Sequence, residues 1–330
     1  LQGEREKQRQ DLAMLVDLAK TYGDDQKIAC VMQERGWLAF NTGDYDAAIA
    51  DAQRIVHQLE DSQSLNSEMM RSLADGHELW GQALRLRGDA ANSREQLETS
   101  LHLAQKTDYK SGEMKALESL GALLWTQADY LAARYAYQQA LIISQEIEDL
   151  RREWSILNHL GIIAKGLGEH AKAIEYYDQT LAIGRQIGDR LGESIALINL
   201  GNVSLAIGDY ARARNYAILA LPIIKEIDDR KDLGIVYANL GEVNYLIGDY
   251  VQAKEHAEKG LEVCREINFR MGEGIILGNL GQIAWSIGNY DLAKKFAEQS
   301  LTIAGEVGDR LGETTDHLAP ESQELLEHVP

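Results

Sequence analysis

Along most of this chain apolar residues recur every three or four positions, the spacing of one helix face rather than the alternation of a strand. Between Glu193 and Ile207 they are Ile195, Leu197, Ile198, Leu200 and Leu205. Gly208 then marks a left-handed stop, and Asp209 supplies a side chain that can cap the next helix. The second stretch runs from about Tyr210 to Glu226, with Ala213, Tyr216, Ala217, Ala220 and Leu221 facing inward. The prediction is two antiparallel helices joined by a tight turn. A loop of the form Gly188-Asp189-Arg190-Leu191-Gly192-Glu193 precedes the pair, and it returns as Gly308-Asp309-Arg310-Leu311-Gly312-Glu313. Its aspartate is placed to cap, and its glutamate puts negative charge into the first turn of the next helix.

The pair is one copy of many. A glycine preceded by leucine stands at Gly121, Gly161, Gly201, Gly241 and Gly281, each 40 residues after the last, with weaker copies at Gly81 and Gly36. Seven residues beyond each lies Gly43, Gly88, Ala128, Gly168, Gly208, Gly248 or Gly288, followed by an acid or amide and usually a tyrosine. Five residues further stands Ala48, Ser93, Ala133, Ala173, Ala213, Ala253 or Ala293. A glycine in a helix interior costs about 1 kcal/mol relative to alanine, so its return seven times implies close helix contact. Self-similarity at a fixed period is the signature of a solenoid. The expected fold is all-α: a right-handed solenoid of seven helix pairs over residues 27–313, after a lone helix over 1–26 and before a capping segment over 314–330.

The leucine-glycine pair, the Gly-Asp-Tyr turn and the alanine of the second helix together resemble the tetratricopeptide repeat. Two features depart from its usual pattern: the period is 40 rather than about 34, and no proline ends the second helix. That variant is similar to the repeats of kinesin light chain and of Pins-type polarity adaptors. Phrases such as Asn199-Leu200-Gly201-Asn202 and Gly188-Asp189-Arg190-Leu191-Gly192-Glu193 look most like the sensor arrays of bacterial signal-transduction (STAND) ATPases. The resemblance implies a non-catalytic module that docks proteins or peptides, serving as the sensor or docking arm of a larger bacterial signalling protein.

Composition narrows the partners. The 330 residues include 52 acids against 33 bases, for a formal charge of −19, with 29 glycines but 3 prolines. Nucleic acids and anionic membranes select basic patches, so both are excluded, and a partner with basic residues is favoured. There is no signal-peptide pattern at the start and no apolar run of about 18 residues, so a cytoplasmic setting is expected. Cys30 and Cys264 have no metal spacing and read as reduced, buried thiols. The sequence opens in mid-repeat, which reads either as a natural capping helix or as a piece of a longer polypeptide. Pro222 falls inside a second helix, where it either tunes curvature or is a tolerated defect.

No phosphate-binding loop, His-Glu-x-x-His, Gly-x-Ser-x-Gly, calcium loop or Cys-x-x-Cys is present, so no enzyme activity and no cofactor or metal are expected. What remains is surface. Helical spacing projects onto one face of the first helices the residues two before and one, four and six away from each leucine-linked glycine. In the last three repeats these are Asn199, Asn239 and Asn279; Asn202, Glu242 and Gln282; Leu205, Tyr245 and Trp285; and Ile195, Ile235 and Ile275. Amides both donate and accept, so they suit a peptide backbone of any sequence. The candidate groove is Asn199, Asn202, Asn239, Glu242, Tyr245, Asn279, Gln282 and Trp285, and by resemblance to the kinesin light chain and Pins arrays Asn199, Asn239 and Asn279 line it. Two other roles stay open: bonds from the asparagines to neighbouring helices, and a place for the two aromatics in the core between repeats. Two further readings are a structural spacer or self-assembling scaffold, and a small-molecule sensor.

Overall fold

The computed structural model describes residues 2–22, 25–61 and 65–311. Among them are fifteen helices and no strand. They fall into two compact units, Leu1–Ile163 and Ala164–Pro330, each with its own packed interior. In the first unit α1 (Gln2–Tyr22) precedes α2 (Asp25–Asn41), α3 (Tyr45–Glu60), α4 (Ser67–Leu86), α5 (Ala90–Lys106), α6 (Lys110–Thr126) and α7 (Tyr130–Glu146). The division falls inside α8 (Leu150–Gly166). The second unit continues with α9 (His170–Ile187), α10 (Arg190–Ala206), α11 (Tyr210–Ile227), α12 (Arg230–Leu246), α13 (Tyr250–Glu266), α14 (Arg270–Ser286) and α15 (Tyr290–Leu311).

In each unit successive helices pack as antiparallel neighbours, and the first helices also pack on one another: α2, α4 and α6 in one unit, α10, α12 and α14 in the other. Within each unit these first helices therefore form one layer. The turn chemistry explains the regularity. Gly208 takes φ +77° after α10, and Asp209 accepts a hydrogen bond from the Arg212 N–H at the start of α11. Asp44, Asp89, Asp129, Asp249 and Asn289 do the same for their own second helices. Glu169 is one methylene too long and makes no such cap. Ala128 holds φ +60° where its counterparts are glycine, a conformation that costs an L-residue about 1 kcal/mol. Between repeats, Asp149, Asp189 and Asp229 cap α8, α10 and α12, while Tyr109 and Phe269 stand at that position without a side-chain cap.

The small residue of each second helix is fully shut away; Ala48, Ser93, Ala133, Ala173, Ala253 and Ala293 have no exposed surface. The first-helix glycines are less uniform. A β-carbon at Gly81 would sit 2.6 Å from Leu97 Cγ, and one at Gly121 would sit 2.9 Å from the Tyr137 ring. At Gly201 the nearest atom would be Tyr216 Cβ at 3.6 Å, an ordinary contact. Close approach therefore requires glycine at Gly81 and Gly121, whereas Gly201 retains room for a methyl group.

Two expectations need correction. Cys30 is exposed on α2 rather than buried; only Cys264 lies in the core. The loop expected from Gly308 does not interrupt the last helix, since α15 runs on to Leu311. Pro222 lies inside α11, as the sequence placed it; the helix continues to Ile227, and the carbonyl left without a donor is that of Ile218. The capping segment expected over 314–330 lies outside the described residues, as do positions 23 and 24.

Candidate functional site

The projected face lies within the second unit, on α10, α12 and α14. Leucine and glycine turn toward the second helices there, and the residues two before and one after the glycine come out half-buried. Neighbouring first helices bring their columns together. Asn239 Nδ2 on α12 donates to Asn202 Oδ1 on α10 at 2.8 Å, and Ser286 Oγ on α14 reaches Tyr245 Oη on α12 at 3.4 Å. Asn199 and Glu242 are engaged as well. The amide ladder is thus partly wired into itself: the Asn202–Asn239 bond holds two repeats in register. The third rung differs. Asn279 and Gln282 on α14 have no side-chain hydrogen bond among the described residues, and Ile275 and Met271 beside them are 49% and 42% exposed.

The two aromatics do double duty. Tyr245 lies 5.9 Å from the ring of Tyr250, and Trp285 meets Tyr290 edge-on at 4.8 Å. Each partner is the tyrosine that opens the second helix of the same repeat. In the first unit Trp125 and Tyr130 form the same pair at 4.8 Å. These rings brace the turn while leaving one edge half-exposed on the first-helix face.

The corresponding face of the first unit is a different chemical object, and sequence reasoning passed over it. Ser119 is buried and donates to Glu78 Oε1 at 2.8 Å; Gln82 also donates to that carboxylate. Close by, Lys115 pairs with Asp75 at 3.5 Å and Tyr109 donates to Asp75 at 3.1 Å. One repeat further on, Arg152 and Ser155 hold Glu118 at 3.0 and 2.9 Å. Burial pushes the Glu78 carboxyl up to about 7, against the opposing pull of its two hydrogen bonds and Lys115. The visible signal was an acid three residues before the glycine, Glu78 and Glu118, where the second unit has Ile198, Ala238 and Gly278.

A second missed feature is the fate of the loop glutamate. Glu193 is buried and accepts from Arg185 at 2.8 Å and Arg190 at 2.6 Å, and Arg190 reaches on to Glu226 at 2.8 Å. Glu273 repeats the arrangement with Arg265 at 2.8 Å and Arg270 at 2.5 Å, and Arg270 extends to Glu306. Burial alone would raise the Glu273 carboxyl, but the two guanidinium groups hold it below its ordinary value. First-turn charge is therefore only part of what this glutamate does; it also clamps consecutive repeats.

Among the described residues no group of three His, Cys, Asp or Glu side chains could hold a metal ion. Of the histidines, His77 is buried against Gln96 at 2.8 Å and His159 stacks on Tyr137 with ring centroids 5.0 Å apart. No described helix is long and apolar enough to cross a membrane.

Residues 155–226 and 228–306 match the tetratricopeptide repeat family. No curated protein matches the chain. Several solved structures share the fold. One is a Signal Transduction ATPase with Numerous Domains (STAND) protein with a tetratricopeptide repeat sensor from Pyrococcus horikoshii: TM-score 0.75, 14% identity, 96% of this chain covered. This chain spans 50% of that one. The apo form of RapI superposes with TM-score 0.71 and 14% identity over 91% of this chain and 86% of its own. NprR in complex with its cognate peptide NprX gives TM-score 0.57 and 15% identity over 89% and 82%.

Proposed function

We propose that this α-solenoid, which matches the tetratricopeptide repeat family over residues 155–226 and 228–306, docks a protein or peptide segment along the first-helix face of its second unit, without catalysis. One observation carries this reading. On α14 the half-exposed Ile275 and Met271 stand beside Asn279 and Gln282, whose amides have no partner among the described residues. Aliphatic side chains supply area to bury, and unpaired amides supply both donor and acceptor for an extended backbone. Trp285, braced by Tyr290, is a rigid wall at the end of the same stripe. Asn199, Asn202, Asn239, Glu242 and Tyr245 continue the face, with Asn202 and Asn239 setting its geometry through their mutual bond. NprR, which shares the fold, is seen with a peptide bound.

The formal charge of −19 and Glu242 on the face favour a partner carrying basic residues over nucleic acid or an anionic membrane. The STAND protein that shares the fold carries its repeats as a sensor. By that likeness the chain serves as the sensing or docking arm of a larger signalling protein.

The test is to pan a random peptide display library against the full chain and measure the selected peptides by fluorescence anisotropy. Asn279→Ala combined with Gln282→Ala, and Ile275→Asp alone, should each weaken binding by about tenfold or more, the effect of losing 1.4 kcal/mol. Circular dichroism should remain unchanged. Selected peptides whose affinity ignores all three substitutions would overturn the assignment.

A further inference from the structure

The outer stripe of α7 has no role in the docking face, and it is unlike its counterparts. Leu131, Tyr135, Gln138 and Ile142 follow one another at intervals of four, three and four residues, so they share one side of the helix. Leu131 is 63% exposed, Tyr135 66% and Ile142 51%; Tyr130 adds a half-exposed ring at the end. The positions matching Tyr135 and Gln138 carry Glu95 and Glu98 in α5, Glu175 and Asp178 in α9, and Glu255 and Glu258 in α13; α11 has Asn215 and Ile218 there, and Val251 stands at the place of Leu131 in α13, but no other helix joins apolar residues at both the Leu131 and Tyr135 positions. Solenoid helices usually present such polar residues to water. In a chain with 19 excess negative charges, α7 presents an uncharged apolar ridge instead.

We propose that this ridge is the self-association surface of the protein, and that its occupant is α7 of a second copy, lying antiparallel across a two-fold axis. Three observations support a second copy. The 4-3-4 spacing reads the same in both directions, so an antiparallel copy centred between Ala136 and Tyr137 sets Leu131 against Ile142, and Tyr135 against Gln138, twice over. A closed two-fold contact needs this self-complementarity. The chemistry matches at each point: aliphatic meets aliphatic, and a tyrosine hydroxyl meets an amide that can accept its proton or donate to it. The charge pattern permits the approach. Two copies at −19 each repel elsewhere, but in this arrangement Glu146 falls opposite Gln127 and no acid faces another across the ridge.

The area sets the strength. Taking about 200 Å² for an aromatic side chain and somewhat less for an aliphatic one, the four exposed apolar residues offer on the order of 400 Å² per copy. The contact core is then about 800 Å² in total, below the roughly 1,200–2,000 Å² of stable complexes, which makes the dimer weak and reversible. Such a pair assembles when copies are concentrated or tethered.

Sedimentation equilibrium on the full chain, from about 5 to about 500 μM, brackets association of that strength. The average mass should climb from 36.8 kDa toward twice that value. Tyr135→Glu should weaken association by about tenfold or more, while Val251→Glu, at a 77% exposed site on α13, should change nothing. Leu131→Glu should also weaken it, and adding Ile142→Lys to the same chain should restore it, because the new carboxylate then faces the new ammonium in the antiparallel pair. A mass that stays at the monomer throughout, or a dimer indifferent to Tyr135→Glu, would overturn the proposal. Failure of Ile142→Lys to rescue would overturn the antiparallel arrangement. Peptide capture by the α14 stripe should be the same in every one of these variants.

Discussion

The leucine-linked glycines look interchangeable along the chain, yet replacing them with alanine should give opposite results at Gly81 and Gly201. Each lies in a first-helix interior, so alanine brings the same helix-propensity gain of about 1 kcal/mol. What differs is the residue sixteen positions later. At Gly81 it is Leu97, fully buried, whose Cγ and Cδ2 would lie 2.6 and 2.7 Å from the new methyl group. Ser93 also anchors this crossing by donating to the Gly81 carbonyl at 2.7 Å, and its own carbonyl would be 3.2 Å away. Overpacking of a tight site costs roughly 1–3 kcal/mol, which offsets the propensity gain and leaves Gly81→Ala less stable by up to about 2 kcal/mol. At Gly201 the residue is Ala217, and the methyl group would find nothing nearer than 3.6 Å. Gly201→Ala should therefore be more stable by about 0.5–1 kcal/mol. Urea titration followed by circular dichroism gives the midpoints, and amide hydrogen exchange reports the affected pair, since repeat arrays do not unfold as one two-state unit. Exchange should slow in α10 and α11 of Gly201→Ala and quicken in α4 and α5 of Gly81→Ala. If Gly201→Ala were destabilised as much as Gly81→Ala, the reading of the space beneath these glycines would be refuted.

Glu78 makes stability depend on pH near neutrality. Its folded-state value of about 7 lies above that of an unfolded carboxyl, so the native state holds its proton more tightly and loses stability as pH rises from about 4.5 to 7. Glu78→Gln should accordingly be more stable than the parent chain at pH 8, with the gap closing as pH falls toward 5; a gap that is constant across this range would contradict the buried carboxyl. The two thiols should separate by reactivity. A disulfide reagent at pH 8 should label Cys30 in the native protein and reach Cys264, whose thiol burial pushes up to about 11, only on unfolding. Cys30→Ser should remove the fast phase, and fast labelling that persists in that variant would place Cys264 at the surface.

The helix pairs, their tight turns and most of their caps could be read from sequence because each depends on residues within a few positions of one another. Gly208, Asp209 and Ala213 declare themselves by spacing alone. What stayed hidden depends on how one repeat lies against the next. That Asn239 bonds Asn202 rather than facing solvent is a matter of inter-helix register, which a forty-residue period does not specify. Glu78 and Glu118 occupy positions that look like a solvated face, and only the stacked neighbour turns that face inward with Ser119 and Ser155 as partners. Cys30 was misplaced for the converse reason: cysteine is a buried residue on average, but here it falls on the outer side of α2. The projected face itself was legible as a set of columns. Which of its members are occupied by one another, and which are left open as Asn279 and Gln282 are, was not.

The ion pairs between helix ends carry a further implication. Lys110 reaches Glu146, Arg190 reaches Glu226, Arg230 reaches Glu266 and Arg270 reaches Glu306, always 36 residues ahead and always inside one helix pair. Each of these four hairpins is thus sealed at its open end by a charge and counter-charge that travel together in a forty-residue block cut at the loop before its first helix. A duplicated block of this kind arrives with its own clasp and its own turn, while pairs such as Arg185–Glu193 and Arg265–Glu273 join it to the block before. Length is therefore a property this chain can change in whole steps without rewriting what remains, and a face of the right span for a given partner can be reached by copying rather than by redesign.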